Sequence, residues 1–147
     1  MDERQDAMSV NSPYSQYQET QLKTATPGKL LVMAYDAAIK FARTASENMQ
    51  EGKLDEQSVN ITKAQNIILE LMSCLDMKVD PQLAENLYSL YSYMFDQLTE
   101  ASIHDNKAAL EETIGVLTEL RSVWSEAETI VRSGGTATSR EEARAAA

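Results

Sequence analysis

A chain of 147 residues that is 43% hydrophobic carries enough apolar side chain for one globular core, which excludes a disordered protein. Its formal net charge of −10 lacks the cationic surface that non-specific nucleic-acid or anionic-membrane binding requires. The lone cysteine, Cys74, cannot form an internal disulfide; with no secretory or membrane-length apolar run visible, the expected location is the cytosol.

Residues 1–23 read as a polar arm whose only aromatics are Tyr14 and Tyr17. Such a segment buries too little apolar area to offset its ordering entropy, so alone it is expected to be mobile, or a short extra helix. Its two tyrosines, spaced i, i+3, either dock one helical turn onto something or merely decorate a tail. The bundle is expected over 24–133. Thr26 is an N-cap candidate, and Pro27 stands at the first helical position, where its missing N–H costs nothing. Helix one runs to about Gln50. Leu30, Met33, Ala34, Ala37, Phe41 and Ala45 form its main face, and Leu31, Tyr35, Ala38 and Ala42 a second strip beside it. Gly52 then offers a left-handed stop.

Helix two is expected from about Asp55 to Leu75, with Ile61, Ala64, Ile68, Leu71, Met72 and Leu75 on an apolar arc of roughly 140°. Asp80-Pro81 repeats the cap-and-proline start, and helix three runs to about Ser102. Its stripe of Leu83, Leu87, Leu90, Met94 and Leu98 is widened by Ala84, Tyr88, Tyr91 and Phe95 to roughly 160°. Asp105 is expected to cap helix four, whose face of Leu110, Ile114, Leu117, Leu120, Trp124, Ala127 and Val131 ends at Gly134-Gly135. Residues 134–147 are expected to be a disordered tail. Strand-like alternation is short and scattered. Four amphipathic helices with short connections give an all-α fold, an antiparallel up-down four-helix bundle.

Catalytic parts are missing. A di-iron bundle needs two Glu-x-x-His motifs, and the sequence has one histidine, His104, in a loop. One cysteine and one histidine cannot hold zinc. Cys74 reads as a small core hydrophobe, and Gly28-Lys29 lacks the flanking residues of a phosphate loop. No cofactor, metal or enzymatic activity is expected. What the helices do have is apolar width. Helices one to three exceed the arc of about 100° that one core face needs. That width either reflects central helices or provides a surface groove for a partner's amphipathic helix.

At this point the residues resemble the FliS family of flagellin-specific export chaperones. The resemblance lies in Tyr14-x-x-Tyr17-Gln18, in 24–28 (TATPG) leading to Leu30 and Met33-Ala34-Tyr35-Asp36, and in Asn60-Ile61-x-Lys63-Ala64-Gln65-x-Ile67-Ile68-x-Glu70-Leu71. It continues in Leu90-Tyr91-x-Tyr93-Met94 and Leu120-Arg121-x-x-Trp124. Ala34 stands where leucine is common, and 74–77 departs from a segment usually rich in Ser/Thr and Leu. The resemblance implies a cytosolic chaperone that binds the C-terminal segment of flagellin, prevents premature polymerisation and delivers it to FlhA, the flagellar export-gate protein. It implies a flagellin groove at Ile61, Ala64, Gln65 and Ile68 of helix two with Leu87, Tyr91 and Met94 of helix three. It also implies that the arm bearing Tyr14 and Tyr17 covers the groove or docks at the gate. A homodimer of the free protein, or a self-associating bundle without a client, stays open as the alternative.

Overall fold

Cap chemistry sets where the helices begin. In the computed structural model, which describes residues 16, 19, 20, 23 and 25–146, Thr26 is extended and its Oγ1 accepts from the Lys29 N–H at 3.2 Å. That starts α1 (Pro27–Gln50). Gly52, at φ +74°, ends it in the left-handed region that only glycine enters without penalty. Next comes α2 (Leu54–Ser73), and then Asp80, which accepts from the Leu83 N–H at 3.1 Å and starts α3 (Pro81–His104). The last helix is α4 (Lys107–Ala146). Before α1, Gln16, Glu19, Thr20 and Lys23 have helical backbone, with Lys23 Nζ 3.3 Å from Glu19.

Two helix ends differ from the sequence expectation. Asp105 does not cap α4; it closes α3 in a left-handed conformation, φ 49° and ψ 39°, which short polar residues tolerate best. Its carboxylate accepts from Gln57 Nε2 at 2.9 Å, and Asn106 Oδ1 takes over the cap by accepting from the Ala109 N–H at 3.1 Å. The second difference is that α4 runs through Gly134-Gly135 to Ala146. A glycine stops a helix only when it turns left-handed, and among the described glycines only Gly52 does so. The alanine, arginine and glutamate that follow are strong helix formers.

α1 packs against α2 and α4, and α3 packs against the same two, so each helix meets its chain neighbours in an antiparallel ring. The fold is therefore the all-α bundle expected. The core is built from Tyr35, Ala38, Ala42 and Ala45 of α1, Ile61, Ala64, Ile68 and Leu71 of α2, Tyr91, Met94 and Leu98 of α3, and Leu110, Ile114 and Leu117 of α4. In α1 most of the inward face comes from the second apolar strip, joined by Ala45 of the first. The strip of Tyr35, Ala38 and Ala42 faces the axis, while Leu30, Ala34 and Phe41 lie on the flank toward α2. Lys63 of α2 sits 5.4 Å above the Phe41 ring, a cation–π contact that covers this flank.

The bundle axis holds one polar group of three. The Tyr35 and Tyr91 hydroxyls bond at 2.5 Å across the diagonal, and Trp124 Nε1 donates to Tyr35 at 3.2 Å. Burial pushes both tyrosine pKa values above the ordinary 10.0; for Tyr91 the bond to Tyr35 pushes further in the same direction. The unfolded chain therefore releases these protons before the folded one does. Stability from the pair is complete below pH about 10 and declines above it. Melting temperatures followed by circular dichroism should be flat approaching pH 10 and fall beyond it. Tyr91→Phe should flatten that fall after an initial loss of about 1 kcal/mol for the hydrogen bond. An equally steep alkaline fall in the variant would remove Tyr91 from this role.

Candidate functional site

The seven groove residues expected from sequence do not form one surface. Ile61, Ala64, Ile68 and Met94 are fully buried, and Tyr91 is 2% exposed. These five are corrected from groove to core, because they sit on the helix faces that meet at the axis. Gln65 lies between α2 and α3, where its Nε2 donates to the Phe95 carbonyl at 3.2 Å and to Thr99 Oγ1 at 2.8 Å. It joins two helices, with both amide N–H groups engaged between them. Leu87 alone lines a surface depression. Tyr14 and Tyr17 lie outside the described residues.

The apolar surface is instead a belt around one end of the bundle. Antiparallel packing brings together at this end the start of α1, the end of α2, the start of α3 and the 124–132 stretch of α4. Between α1 and α4 lies a depression of about 390 Å³, walled by Pro27, Leu31, Trp124, Ala127 and Val131. Between α1 and α2 lies one of about 460 Å³, walled by Leu30, Leu31, Ala34, Ile67 and Cys74. Between α2 and α3 lies a smaller one of about 180 Å³, walled by Cys74, Leu75, Val79, Leu83 and Leu87. Pro27 and Leu31 join the first to the second, and Cys74 joins the second to the third. Leu30 is 39% exposed, Leu83 46% and Val131 69%, so the rim is open. Cys74 is exposed at the end of α2, which corrects its reading as a core residue.

Most belt residues had a signal in the sequence. Leu30, Leu31, Ala34 and Ile67 are the apolar residues that widen α1 and α2 beyond one core face. A helix of a four-membered ring touches two neighbours, and its surplus width falls at the edges of those contacts, where grooves form.

Polar groups both line the belt, as Thr26, Glu128 and Arg132 do in the first depression and Glu70 in the second, and flank it. At the waist, Arg121 Nε donates to Asp36 Oδ1 at 2.8 Å, in a cleft between α1 and α4 that also holds Lys40, Arg43 and Glu47. Asp36 holds the Arg121 guanidinium above its ordinary pKa, by hydrogen bond first and charge second. On the far side Tyr93 donates to Glu112 at 2.7 Å, and that bond raises the tyrosine pKa. Among the described residues no three His, Cys, Asp or Glu side chains gather as a metal site. No helix among them is long and apolar enough to cross a membrane. The site offers apolar contact along a curved track, which is chemistry for holding a chain.

The family described as flagellar protein FliS matches residues 10–131, a span containing nearly all of the belt. This chain belongs to the FliS family. It is 34% identical over 120 residues to the flagellar secretion chaperone FliS of Bacillus subtilis (strain 168), covering 82% of this chain and 89% of that one. With FliS of Vibrio cholerae the identity is 32% over 108 residues, covering 74% and 79%. With FliS of Escherichia coli (strain K12) it is 30% over 109 residues, covering 74% and 80%. A solved flagellar chaperone from bacteria superposes with a TM-score of 0.67 at 21% identity, covering 80% of this chain and 98% of that one, which supports the shared fold. The FliS match ends at residue 131, near the level at which α4 passes the start of α1.

Proposed function

We propose that this chain is a cytosolic export chaperone that holds the C-terminal helical segment of flagellin on the apolar belt and delivers it to the export-gate protein FlhA. The observation that carries this reading is the continuity of the belt in a member of the FliS family. Three depressions that share walls suit an extended partner presenting apolar side chains in series. Flagellin subunits polymerise by burying apolar helix faces, so a chaperone that covers those faces blocks polymerisation. The client orders as it binds, and that entropy cost keeps affinity below what the contact area suggests, which favours later release. Capture by apolar contact needs no nucleotide.

The test is a binding experiment with purified proteins. Full-length flagellin should form a one-to-one complex, and flagellin lacking its C-terminal helical segment should not. Equal binding of both would overturn the reading. Sedimentation of the free protein at micromolar concentration reads out the competing homodimer, in which a second copy covers the belt.

A further inference from the structure

We infer that Glu128 is a positioning residue of the belt, a clasp that sets the gap between α1 and α4 into which a client side chain fits. The inference rests on the belt being the client site. Glu128 is a carboxylate, yet its side chain is only 13% exposed at the wall of a depression whose other polar lining is Thr26 and Arg132. A carboxylate so placed adds no apolar contact and is costly to bury unless it is held. Three contacts hold it. Its Oε1 accepts from Thr26 Oγ1 at 3.2 Å, the same hydroxyl that caps α1. Its Cγ lies where a Cβ on residue 28 would come within 3.0 Å, so Gly28 is what lets it lie against the first turn of α1. Arg132, one turn further along α4, places Nε 3.6 Å from the same Oε1. The carboxylate also sits at the N-terminal end of α1, where the helix dipole favours negative charge.

Position gives these contacts their consequence. Trp124, anchored to Tyr35, ends the run of α4 that is tied to the buried core. Glu128 lies one turn beyond, and from there α4 continues past the start of α1 for roughly 25 Å at 1.5 Å per residue. The clasp therefore fixes the last supported turn of α4. Pro27 and Leu31 on one side, and Trp124, Ala127 and Val131 on the other, keep the spacing it imposes. Without it the pocket must be re-formed at each binding event, and affinity falls by the fraction of time the pocket is competent.

Trp124 is the single tryptophan and lines this depression, so its emission reports the gap without any client. Glu128→Ala should shift Trp124 emission to longer wavelength, raise its access to a neutral quencher and weaken flagellin binding about tenfold, with far-ultraviolet dichroism unchanged. Glu128→Gln keeps the methylenes and an acceptor for Thr26 and should restore both readouts. Gly28→Ala should displace the Glu128 Cγ and reproduce the Trp124 change. Unaltered emission and quenching in Glu128→Ala would overturn the clasp, whatever happens to affinity. A shifted emission with unaltered affinity would overturn its positioning role. If the wild-type protein binds no flagellin, the client reading fails and the positioning role with it, while the emission still decides whether the clasp exists.

Discussion

Replacing Ile68 by alanine is expected to lower the unfolding free energy by about 2–5 kcal/mol, and Met94→Ala by a similar amount. Both side chains are fully buried, on α2 and α3, in the one cluster that all four helices share. Truncation removes the transfer energy of the lost carbons and leaves a cavity that the neighbouring rings, Tyr35 and Tyr91, cannot fill, because their hydroxyls are pinned to each other. Against a total stability of roughly 5–15 kcal/mol this is a large fraction, and the melting temperature should drop on the order of 10 °C. Flagellin binding measured well below the lowered transition should stay within a few-fold of wild type, since neither residue reaches the surface. Calorimetry and binding on the same samples separate the cases. Lost binding with unchanged melting would return Ile68 and Met94 to the surface groove and contradict their burial.

These residues also show what could be seen in the sequence. The helix starts were legible because their chemistry is local: Thr26-Pro27 and Asp80-Pro81 each combine a side-chain acceptor with a fixed φ, and both form as expected. The left-handed stop at Gly52 is equally local. The rotation of each helix about its own axis was not legible. On α1 the strips of Leu31, Tyr35 and Ala38 and of Leu30, Ala34 and Phe41 lie side by side. Only packing against α2 and α4 decides which points inward. The family resemblance put Ile61, Ile68 and Met94 in a groove, but family motifs also contain plain core residues, and these three are buried. Cys74 stands where the ends of helices distant in sequence meet, joining two depressions, and one-helix periodicity carries no record of that. Asp105 and Asn106 show the limit for caps. Two adjacent residues both suited the role, and the left-handed turn after α3 took the first.

Placing a carboxylate on the belt should separate binding from stability in the opposite sense. Leu30 and Leu83 are 39% and 46% exposed, in the α1/α2 and α2/α3 depressions, each on a helix where glutamate has nearly the propensity of leucine. In the free protein Leu30→Glu or Leu83→Glu keeps its charge in water, and the lost partial burial should cost about 1 kcal/mol. Once an apolar client lies over the site, the same charge is cut off from water without a partner, a penalty of several kcal/mol. Each substitution should therefore weaken flagellin binding by about 100-fold or more. Ile103→Glu, at the other end of α3 and already 68% exposed, should change it by no more than a few-fold. The double variant carries the geometric information. If one client segment spans both depressions, each substitution should weaken binding and the double variant should lose more than either alone, with any departure from additivity measuring coupling through their shared wall at Cys74. If the client occupies one depression only, one substitution should be silent alone and in combination. Titration calorimetry on the four proteins gives all the values needed. Wild-type affinity in both single variants would remove the belt as the client surface, whichever family the chain belongs to.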